Sequence, residues 1–384
     1  MTRNPLYDPR EDSFLLAEAV ELYAYGKTLD MGTGSGIQAV TAANNGKVSS
    51  VLAVDINTEA LVLAKKRNTH PLITYMQSDL FSDIKGKFDT IIFNPPYLPD
   101  HPNLKDVALD GGKKGYEISV HFLKNAKNYV GDGGQMLFLF SSLTNKEVID
   151  KTLTENAYLF EEVLKQKLDF EALYVYKIKK VESLVNEVKN LKFFSKGKRG
   201  LIYTGNFKKT KAAIKIKNPK SEVPGRIHIE GHNLKIVNKL KIGPKLLKAA
   251  DDYIIYKFVE GTLFPEFLEK ATKKDTISII KQLFSQMRTL DKNQFNKEEM
   301  ANPYKHIIVT KKKKAVLIDF ERGNKTLRPH NVTQFIQYLV SSSLSPILLK
   351  KGIKIDKKEM LSLAQKYKED YDARYYKRII QKIK

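Results

Sequence analysis

Residues 27–36, KTLDMGTGSG, decide the fold of the N-terminal half. In this stretch an apolar run, residues 28–31, leads directly into three closely spaced glycines. Farther along, the apolar run at residues 51–54 ends at Asp55, and a helical pattern follows at residues 58–68. Short apolar runs that alternate with glycine turns and helical stretches are typical of repeated βαβ units on a parallel sheet. We therefore predict an α/β fold.

The same alternation extends through about the first 180 residues. Further strands are predicted at residues 74–77, 90–93, 135–140 and 173–178. These runs are short and rich in apolar, aromatic and β-branched residues, which favour strands. The predicted sheet therefore continues to about residue 180.

Charge divides the chain into two unlike halves. Residues 1–180 hold 21 Lys and Arg against 23 Asp and Glu, whereas residues 181–384 hold 45 against 20. The whole net charge of +23 therefore comes from the second half. Because 384 residues also exceed one ordinary core, we predict two domains, 1–182 and 183–384.

The basic half is expected to bind a polyanion such as RNA, a nucleotide or a ribosomal surface. A lysine-rich surface without a nucleic-acid partner is the alternative, because the lysines are dispersed. The chain contains no cysteine, and no apolar run approaches the roughly 20 residues that span a bilayer. We therefore expect a soluble cytoplasmic protein that does not enter membranes.

The glycine turn is a candidate ligand site. Gly32, Gly34 and Gly36 lie between a predicted strand and a predicted helix, where a ligand approaches backbone closely at a helix N-terminus. Asp55 follows at the end of the next strand, where its carboxylate can accept hydrogen bonds from ribose hydroxyls. These features suit NAD and S-adenosylmethionine equally.

The sequence Asn-Pro-Pro-Tyr follows the strand at residues 90–93 and favours methyl transfer. We call residues 94–97 the Asn94 loop; its members are Asn94, Pro95, Pro96 and Tyr97. The prolines fix the backbone and remove two donors. The Asn94 side chain and the Pro95 carbonyl could each accept one N–H hydrogen of a planar amide or amino group. These two hydrogen bonds would make the planar nitrogen a better nucleophile. Tyr97 can stack on the planar group; a rigid turn without catalytic function is the alternative.

Residues 7–180 resemble the HemK/PrmC family of glutamine methyltransferases, in particular its short archaeal and eukaryotic branch. The matching positions are Tyr7, Asp8, Pro9, Glu11, Asp12, Ser13, residues 30–36, Asp55, Asp79, Leu80, residues 94–97, residues 110–115, Ser141 and Ser142. The Asn-Pro-Pro-Tyr motif is shared with adenine and cytosine amino methyltransferases, so it indicates the chemistry better than the substrate. The segment Tyr-x-Pro-x-Glu-Asp-Ser is narrower and favours this branch.

This resemblance implies a Rossmann-like class I methyltransferase with a seven-stranded, mostly parallel sheet that uses S-adenosylmethionine. The implied cofactor contacts are Ser13, Asp30, Gly32 and Gly34 around the methionine part, Asp55 at the ribose, and Asp79 and Leu80 near the adenine. Asn94 is also an implied cofactor contact, and together with the rest of its loop it would bind the target amide. The implied substrate is the glutamine of the Gly-Gly-Gln loop in a translation release factor. Family members of this branch commonly work with a small zinc-binding activator subunit.

Two features leave the substrate open. Lys114 stands where family members usually carry an acidic residue, and only about 26 residues precede the first strand, too few for a separate recognition domain. Methylation of an adenine amino group in RNA or DNA, with the basic half gripping phosphates, is the alternative. A third hypothesis makes the second half a scaffold for ribosome or tRNA-modification machinery.

The second half resembles atypical, RIO-like protein kinases. Lys215, in the run AAIK, and Glu230 resemble the ion pair that orients nucleotide phosphates. Asp319, in IDFE, resembles the metal-binding aspartate, and residues 253–261 resemble the hinge between two lobes. The resemblance implies an α+β, two-lobed fold that binds ATP and Mg²⁺, with Asp319 as the metal ligand.

The catalytic loop departs from this pattern. His306 replaces the metal-binding asparagine, and Ala301 occupies the expected position of the catalytic aspartate. Glu298, Glu299 or a water molecule could replace it, and a pseudokinase is the alternative. A helix is predicted at residues 182–191, and Gly197, Gly200 and Gly205 are predicted in a turn region that only loosely resembles a phosphate loop.

Overall fold

The computed structural model describes residues 8–99, 110–197, 200–218 and 226–384. The chain forms two compact units, Met1–Phe193 and Phe194–Lys384. The predicted boundary at residue 182 lies earlier, in a short helix. Tyr7, matched in the N-terminal motif, lies outside the described residues.

The N-terminal unit alternates helices and strands. Its helices are α1 (Glu11–Tyr23), α2 (Ile37–Asn44), α3 (Thr58–Arg67), α4 (Glu117–Ala126), α5 (Lys146–Glu155) and α6 (Val181–Leu184). Its strands are β1 (Gly26–Met31), β2 (Val48–Asp55), β3 (Ile73–Gln77), β4 (Phe88–Phe93), β5 (Val130–Ser141), β6 (Tyr158–Lys167) and β7 (Ala172–Lys180). The strand β6 was not predicted.

These strands form one seven-stranded sheet in the order β3-β2-β1-β4-β5-β7-β6. The first five strands are parallel to one another, and β7 runs antiparallel to both β5 and β6. The predicted mostly parallel sheet is therefore confirmed. Because the strand order reverses between β1 and β4, a crevice opens at the carboxyl ends of these two strands.

Apolar side chains cover both faces of the sheet. Alternate residues of one strand separate to opposite sides: Ile91 and Phe93 join the core beneath α4 and α5, whereas Ile92 joins the core beneath α1 and α2. A strand buried on both faces needs a continuous apolar run rather than an alternating one. This explains why residues 90–93 were recognisable as a strand.

The C-terminal unit combines a sheet with a mostly helical part. Its helices are α7 (Arg226–Lys239), α8 (Phe264–Lys270), α9 (Lys273–Lys292), α10 (Asn331–Leu339), α11 (Ser345–Lys350), α12 (Lys357–Asp370) and α13 (Ala373–Gln381), with a 3-10 helix at Glu298–Ala301. Strand β8 (Val188–Lys196) begins before the unit boundary and ends after it. The strands that follow are β9 (Gly200–Phe207), β10 (Thr210–Lys217), β11 (Leu246–Ala249), β12 (Tyr253–Lys257), β13 (Gly261–Leu263), β14 (Phe295–Asn296), β15 (Ile307–Thr310), β16 (Ala315–Leu317) and β17 (Asn324–Lys325).

Five of these strands form a sheet in the order β11-β12-β10-β9-β8. The pairs β9–β10, β10–β12 and β11–β12 are antiparallel. Among the described residues, no helix is both long and apolar enough to cross a bilayer.

Two predictions near the unit boundary are wrong. The helix predicted at residues 182–191 ends at Leu184, and Val188–Lys196 forms the edge strand β8 instead. Asn190 has a φ of 58°, which interrupts a helix, and sheet pairing overrides the local helical pattern. Gly200 and Gly205, predicted in a turn, belong to β9, opposite Lys217 and Ala212 of β10.

Candidate functional site

The loops of the N-terminal site follow three neighbouring strands. Met31, the last residue of β1, pairs with Val54 of β2 on one side and with Phe93 of β4 on the other. The glycine turn, Asp55 and the Asn94 loop therefore emerge side by side at one edge of the sheet. This edge is where ligands bind in open α/β folds.

A cavity of about 450 Å³ opens there. Its lining includes the following predicted site residues: Ser13, Gly32, Gly34, Asp55, Asp79, Leu80, Asn94, Pro95, Pro96 and Tyr97. Asp30 does not line the cavity. The structure thus brings together all the predicted site residues of this unit except one.

Asp30 lies beneath the glycine turn and is buried. The Thr33 hydroxyl donates a hydrogen bond to Asp30 Oδ2 over 2.6 Å. Burial raises the pKa of Asp30 to about 7, the Thr33 hydrogen bond opposes this, and the nearby Asp55 charge adds to it. The carboxyl group therefore titrates near neutral pH, and a cation close to it would favour its ionised form.

Asp55 fixes the shape of the glycine turn. Its Oδ2 accepts from the Gly34 N–H over 2.9 Å, and its Oδ1 accepts from the Asn57 N–H over the same distance. The Asn57 side chain in turn caps the N-terminus of α3. Asp55 therefore joins β2, the glycine turn and α3 on the cavity wall.

The wall at Asp79 and Leu80 has a strained backbone. Leu80 has a φ of 47°, which a residue with a Cβ rarely adopts. The Ser78 hydroxyl donates to the Leu80 carbonyl over 2.8 Å, and the Ser82 N–H donates to the Asp79 carbonyl over 3.1 Å. These bonds hold the turn that presents both predicted residues to the cavity.

Asn94 is oriented by Asp12, a residue of the N-terminal family motif that is not among the predicted site residues. Asn94 Nδ2 donates to Asp12 Oδ2 over 3.0 Å. A carboxylate only accepts hydrogen bonds, so the amide NH₂ must face Asp12 and the amide oxygen must face away. Asn94 Oδ1 is buried and has no hydrogen-bond partner among the described residues. The site thus contains a fixed acceptor.

The start of α1 holds Asp12 in place. The Ser13 N–H donates to Asp12 Oδ1 over 2.6 Å, and Gln38 Nε2 donates to the Ser13 carbonyl over 2.8 Å. Asp12 and Ser13 are both buried, as is Gln38. The N-terminal helix is therefore tied to α2 next to the Asn94 loop.

The segment at residues 110–115 packs on the Asn94 loop. The Gly111 N–H donates to the Leu98 carbonyl over 2.8 Å. A Cβ on Gly111 would lie 2.6 Å from the Pro96 carbonyl oxygen, and one on Gly115 would lie 2.5 Å from that of Tyr97. Only glycine permits this approach. Lys114 presents its N–H to Glu117 Oε1 over 3.2 Å.

Tyr97 completes the wall of the cavity. Burial raises the pKa of its phenol, and the nearby Asp12 carboxylate raises that pKa further. The phenol therefore stays neutral near physiological pH. A neutral aromatic ring at this place can contact a planar group face to face.

Comparisons with known proteins agree with this geometry. The model of the family described as "Methyltransferase small domain" matches residues 11–170. A Methanocaldococcus jannaschii protein named as an N5-glutamine methyltransferase is 38% identical over 44% of this chain and 89% of its own length. This chain belongs to the N5-glutamine methyltransferase family. The match is confined to the N-terminal part, which is an S-adenosylmethionine-dependent, Rossmann-like class I methyltransferase domain of the HemK/PrmC type.

Other relatives match the same part of this methyltransferase. The mouse methyltransferase HEMK2 is 31% identical over 46% of this chain and 90% of its own length. The release factor glutamine methyltransferase of Moorella thermoacetica is 30% identical and is covered over 62% of its length. One solved structure is an E. cuniculi Mtq2–Trm112 complex, described as responsible for methylating the eRF1 translation termination factor. A chain of that complex is 26% identical to this chain, with a TM-score of 0.39. The match covers 46% of this chain and 99% of that one.

The methyltransferase carries a second polar cluster in its C-terminal unit, around Lys215 on β10. Lys215 Nζ lies 2.6 Å from Glu230 Oε2 on α7 and 3.2 Å from Asp319 Oδ1. Glu321 Oε2 lies 3.5 Å from the same nitrogen. The structure thus brings together the three residues predicted from the kinase resemblance.

Opposite charges compensate one another in this cluster. Burial lowers the pKa of Lys215, but Glu230 and Asp319 outweigh it and the net shift is upward. Burial raises the pKa of Asp319, but Lys215, Lys297 and His306 outweigh it and the pKa falls. Both groups therefore stay ionised near neutral pH. Glu230, Asp319 and Glu321 also offer carboxylate oxygens within 4.8 Å of one another, a spacing that suits a divalent cation.

His306 lies where the resemblance expects an asparagine. Its Nδ1 is 3.8 Å from Asp319 Oδ2. Burial lowers the pKa of His306, and the Lys297 charge lowers it further. Because Mg²⁺ prefers oxygen ligands, the imidazole nitrogen is a poorer ligand for it than the amide oxygen of the expected asparagine.

Proposed function

We propose that this chain methylates the side-chain amide nitrogen of the glutamine in the Gly-Gly-Gln loop of a translation release factor. The buried Asn94 Oδ1, turned away from Asp12 in a residue that lines the cavity, is the observation that carries the proposal. A fixed neutral acceptor suits a group that donates an N–H, such as an amide, and does not suit a carboxylate, which only accepts hydrogen bonds.

The cavity fits S-adenosylmethionine because it pairs this acceptor with the carboxylates of Asp55 and Asp79. We propose that Asp55 holds the ribose, that Asp79 and Leu80 bound the adenine region, and that Ser13, Gly32 and Gly34, with Asp30 beneath them, receive the methionine part. When bound, S-adenosylmethionine supplies a methyl group carried on a positively charged sulfur. These roles follow the family resemblance residue by residue.

The Asn94 loop acts on the amide nitrogen. Asn94 Oδ1 and the Pro95 carbonyl each accept one N–H of the target amide, which increases the electron density on a nitrogen whose lone pair is otherwise delocalised. Tyr97 stacks on the amide plane and holds the nitrogen in line for attack. Because Asp12 fixes the Asn94 amide beforehand, the acceptor needs no reorganisation during the reaction.

The names of relatives support a release factor as substrate, as in the Moorella thermoacetica enzyme. We also propose, from the resemblance alone, a small zinc-binding activator subunit and contact with RNA or the ribosome through the basic half.

Incubation of the full chain with methyl-labelled S-adenosylmethionine and a purified release factor tests the substrate. We expect label in the release factor and none in a variant whose Gly-Gly-Gln glutamine is replaced by alanine. A parallel incubation with cell extract is divided between protease and nuclease. Label that nuclease removes would support adenine methylation instead and contradict the protein substrate.

We further propose that the C-terminal unit binds ATP with Mg²⁺, and the 2.6 Å contact between Lys215 and Glu230 carries this proposal. Lys215→Met should weaken binding of MgATP by at least about tenfold in a calorimetric titration, because the phosphates lose their cation. Lys211→Met is the matched control, since Lys211 lies on the same strand but is exposed. Equal affinity of both variants would refute the proposal.

A further inference from the structure

The C-terminal cluster extends to a second buried lysine, Lys297. Its side chain is fully buried, and its Nζ donates to the carbonyl oxygen of Asp319. Its backbone N–H donates to Asn331 Oδ1 over 2.7 Å. Lys297 therefore anchors the segment that precedes Ala301 directly to the backbone of the predicted metal ligand.

Asn331 extends this anchor into the helical core. Its Nδ2 donates to Asp291 Oδ1 over 2.7 Å, and Asp291 Oδ2 accepts from the Tyr367 hydroxyl over 3.1 Å. Asn331 and Asp291 are buried, and Tyr367 is buried with them. A network of this kind holds one backbone position rigidly, as a catalytic segment requires.

Glu299 lies beside this anchored lysine. Glu299 Oε2 is 3.4 Å from Lys297 Nζ, and Glu299 Oε1 is 3.6 Å from Arg322 Nε. The Glu299 side chain is 18% exposed, so it sits at the rim of the cluster and stays within reach of a ligand. Its neighbour Glu298 is exposed and accepts instead from Asn324 Nδ2 over 3.1 Å. Of the two glutamates, only Glu299 is held next to Asp319 through Lys297.

We propose that Glu299 is the proton acceptor of a phosphoryl transfer in the C-terminal unit, in place of the carboxylate missing at Ala301. This inference rests on the MgATP binding proposed above. A hydroxyl of a protein side chain or of water gives its proton to the Glu299 carboxylate. The hydroxyl oxygen forms a bond to the γ-phosphorus of ATP, the bond from that phosphorus to the bridging oxygen breaks, and ADP leaves with the electron pair.

Lys297 positions Glu299 for this step. Its ammonium group lies between the carbonyl oxygen of Asp319 and Glu299 Oε2. The proposed base is therefore held at a fixed place relative to the backbone of the predicted metal ligand.

Glu299→Gln in the full chain tests the inference, with Glu298→Gln as the matched control. Phosphoryl transfer from γ-³²P-ATP with Mg²⁺ to the chain itself, and release of labelled phosphate to water, are both measured. We expect Glu299→Gln to lower both rates by about a hundredfold or more, and to leave the affinity for MgATP within about twofold of the parent. Glu298→Gln should transfer at the parent rate.

The outcomes separate the two proposals. A parent chain that does not bind MgATP refutes nucleotide binding and, with it, the base. A parent that binds MgATP without any transfer, or a Glu299→Gln variant that transfers at the parent rate, overturns the role of Glu299 alone. A loss of transfer in Glu298→Gln with no loss in Glu299→Gln would make Glu298 the proton acceptor. This outcome also overturns the role proposed for Glu299.

Discussion

The polar groups of the two sites differ in whether they have partners within the protein. In the N-terminal unit, Asp12 fixes Asn94 so that one neutral acceptor remains without a partner among the described residues. In the C-terminal unit, Lys215 neutralises Glu230 and Asp319, and the charges satisfy one another. The first arrangement matches the amide that we propose as its target. The second matches the metal–nucleotide complex that we propose for the C-terminal unit.

The largest effect should come from the acceptor of the first site. Asn94→Ala removes the oxygen that we propose accepts the amide N–H, so methyl transfer should fall about a thousandfold or more, as when a catalytic hydrogen bond is lost. Binding of S-adenosylhomocysteine, measured by calorimetry, should remain detectable. Retained turnover would show that the amide is held elsewhere.

Asp12→Asn should have the next largest effect. The introduced amide can donate to Asn94, which lets the Asn94 side chain turn over and present NH₂ to the cavity. The kcat should fall about a hundredfold with little change in cofactor affinity. In the ¹⁵N NMR spectrum, the Asn94 side-chain amide signals should shift.

Asp8→Asn is the control for Asp12→Asn, because Asp8 is an exposed acid of the same N-terminal segment. It removes the same charge without touching Asn94 and should keep full activity. If both variants lose activity equally, Asp12 acts through net charge and not through the Asn94 amide.

A smaller effect on cofactor affinity is expected when a change of pH ionises Asp30. Because the pKa of this carboxyl is raised to about 7, it is mostly neutral at pH 6 and mostly ionised at pH 8. A cationic amino group of the cofactor binds the ionised form better, so affinity for S-adenosylmethionine should rise about tenfold from pH 6 to pH 8. Asp30→Asn should make the affinity independent of pH over this range. A parent chain with equal affinity at both pH values would exclude this role of Asp30.

The smallest effect is expected when a substitution in the C-terminal unit is tested for methyl transfer by the N-terminal unit. Asp319→Ala should leave methyl transfer to a free protein substrate within about twofold of the parent, because the residues that line the cavity proposed for methyl transfer all belong to the N-terminal unit. Kinetic assays with both chains test this. A large loss would show that the two sites are coupled in catalysis.

The site of the N-terminal unit was largely predictable because its parts follow consecutive strands. Residues 28–31, 51–54 and 90–93 carry the apolar runs of buried parallel strands, and such strands end at one edge of a sheet. Local pattern therefore placed the glycine turn, Asp55 and the Asn94 loop together. The edge strand β8 was missed because its pairing, and not its local pattern, determines its conformation.

The sequence by itself determined the α/β fold of the N-terminal unit, the change in charge between the halves and most of the polar residues that line the N-terminal cavity. Those features depend on local periodicity and composition. Only the tertiary structure decided which polar groups meet. Asn94 bonds to a carboxylate 82 positions away, and Lys215 bonds to one 104 positions away. Contacts at such separations depend on how helices and strands pack, which local pattern does not encode.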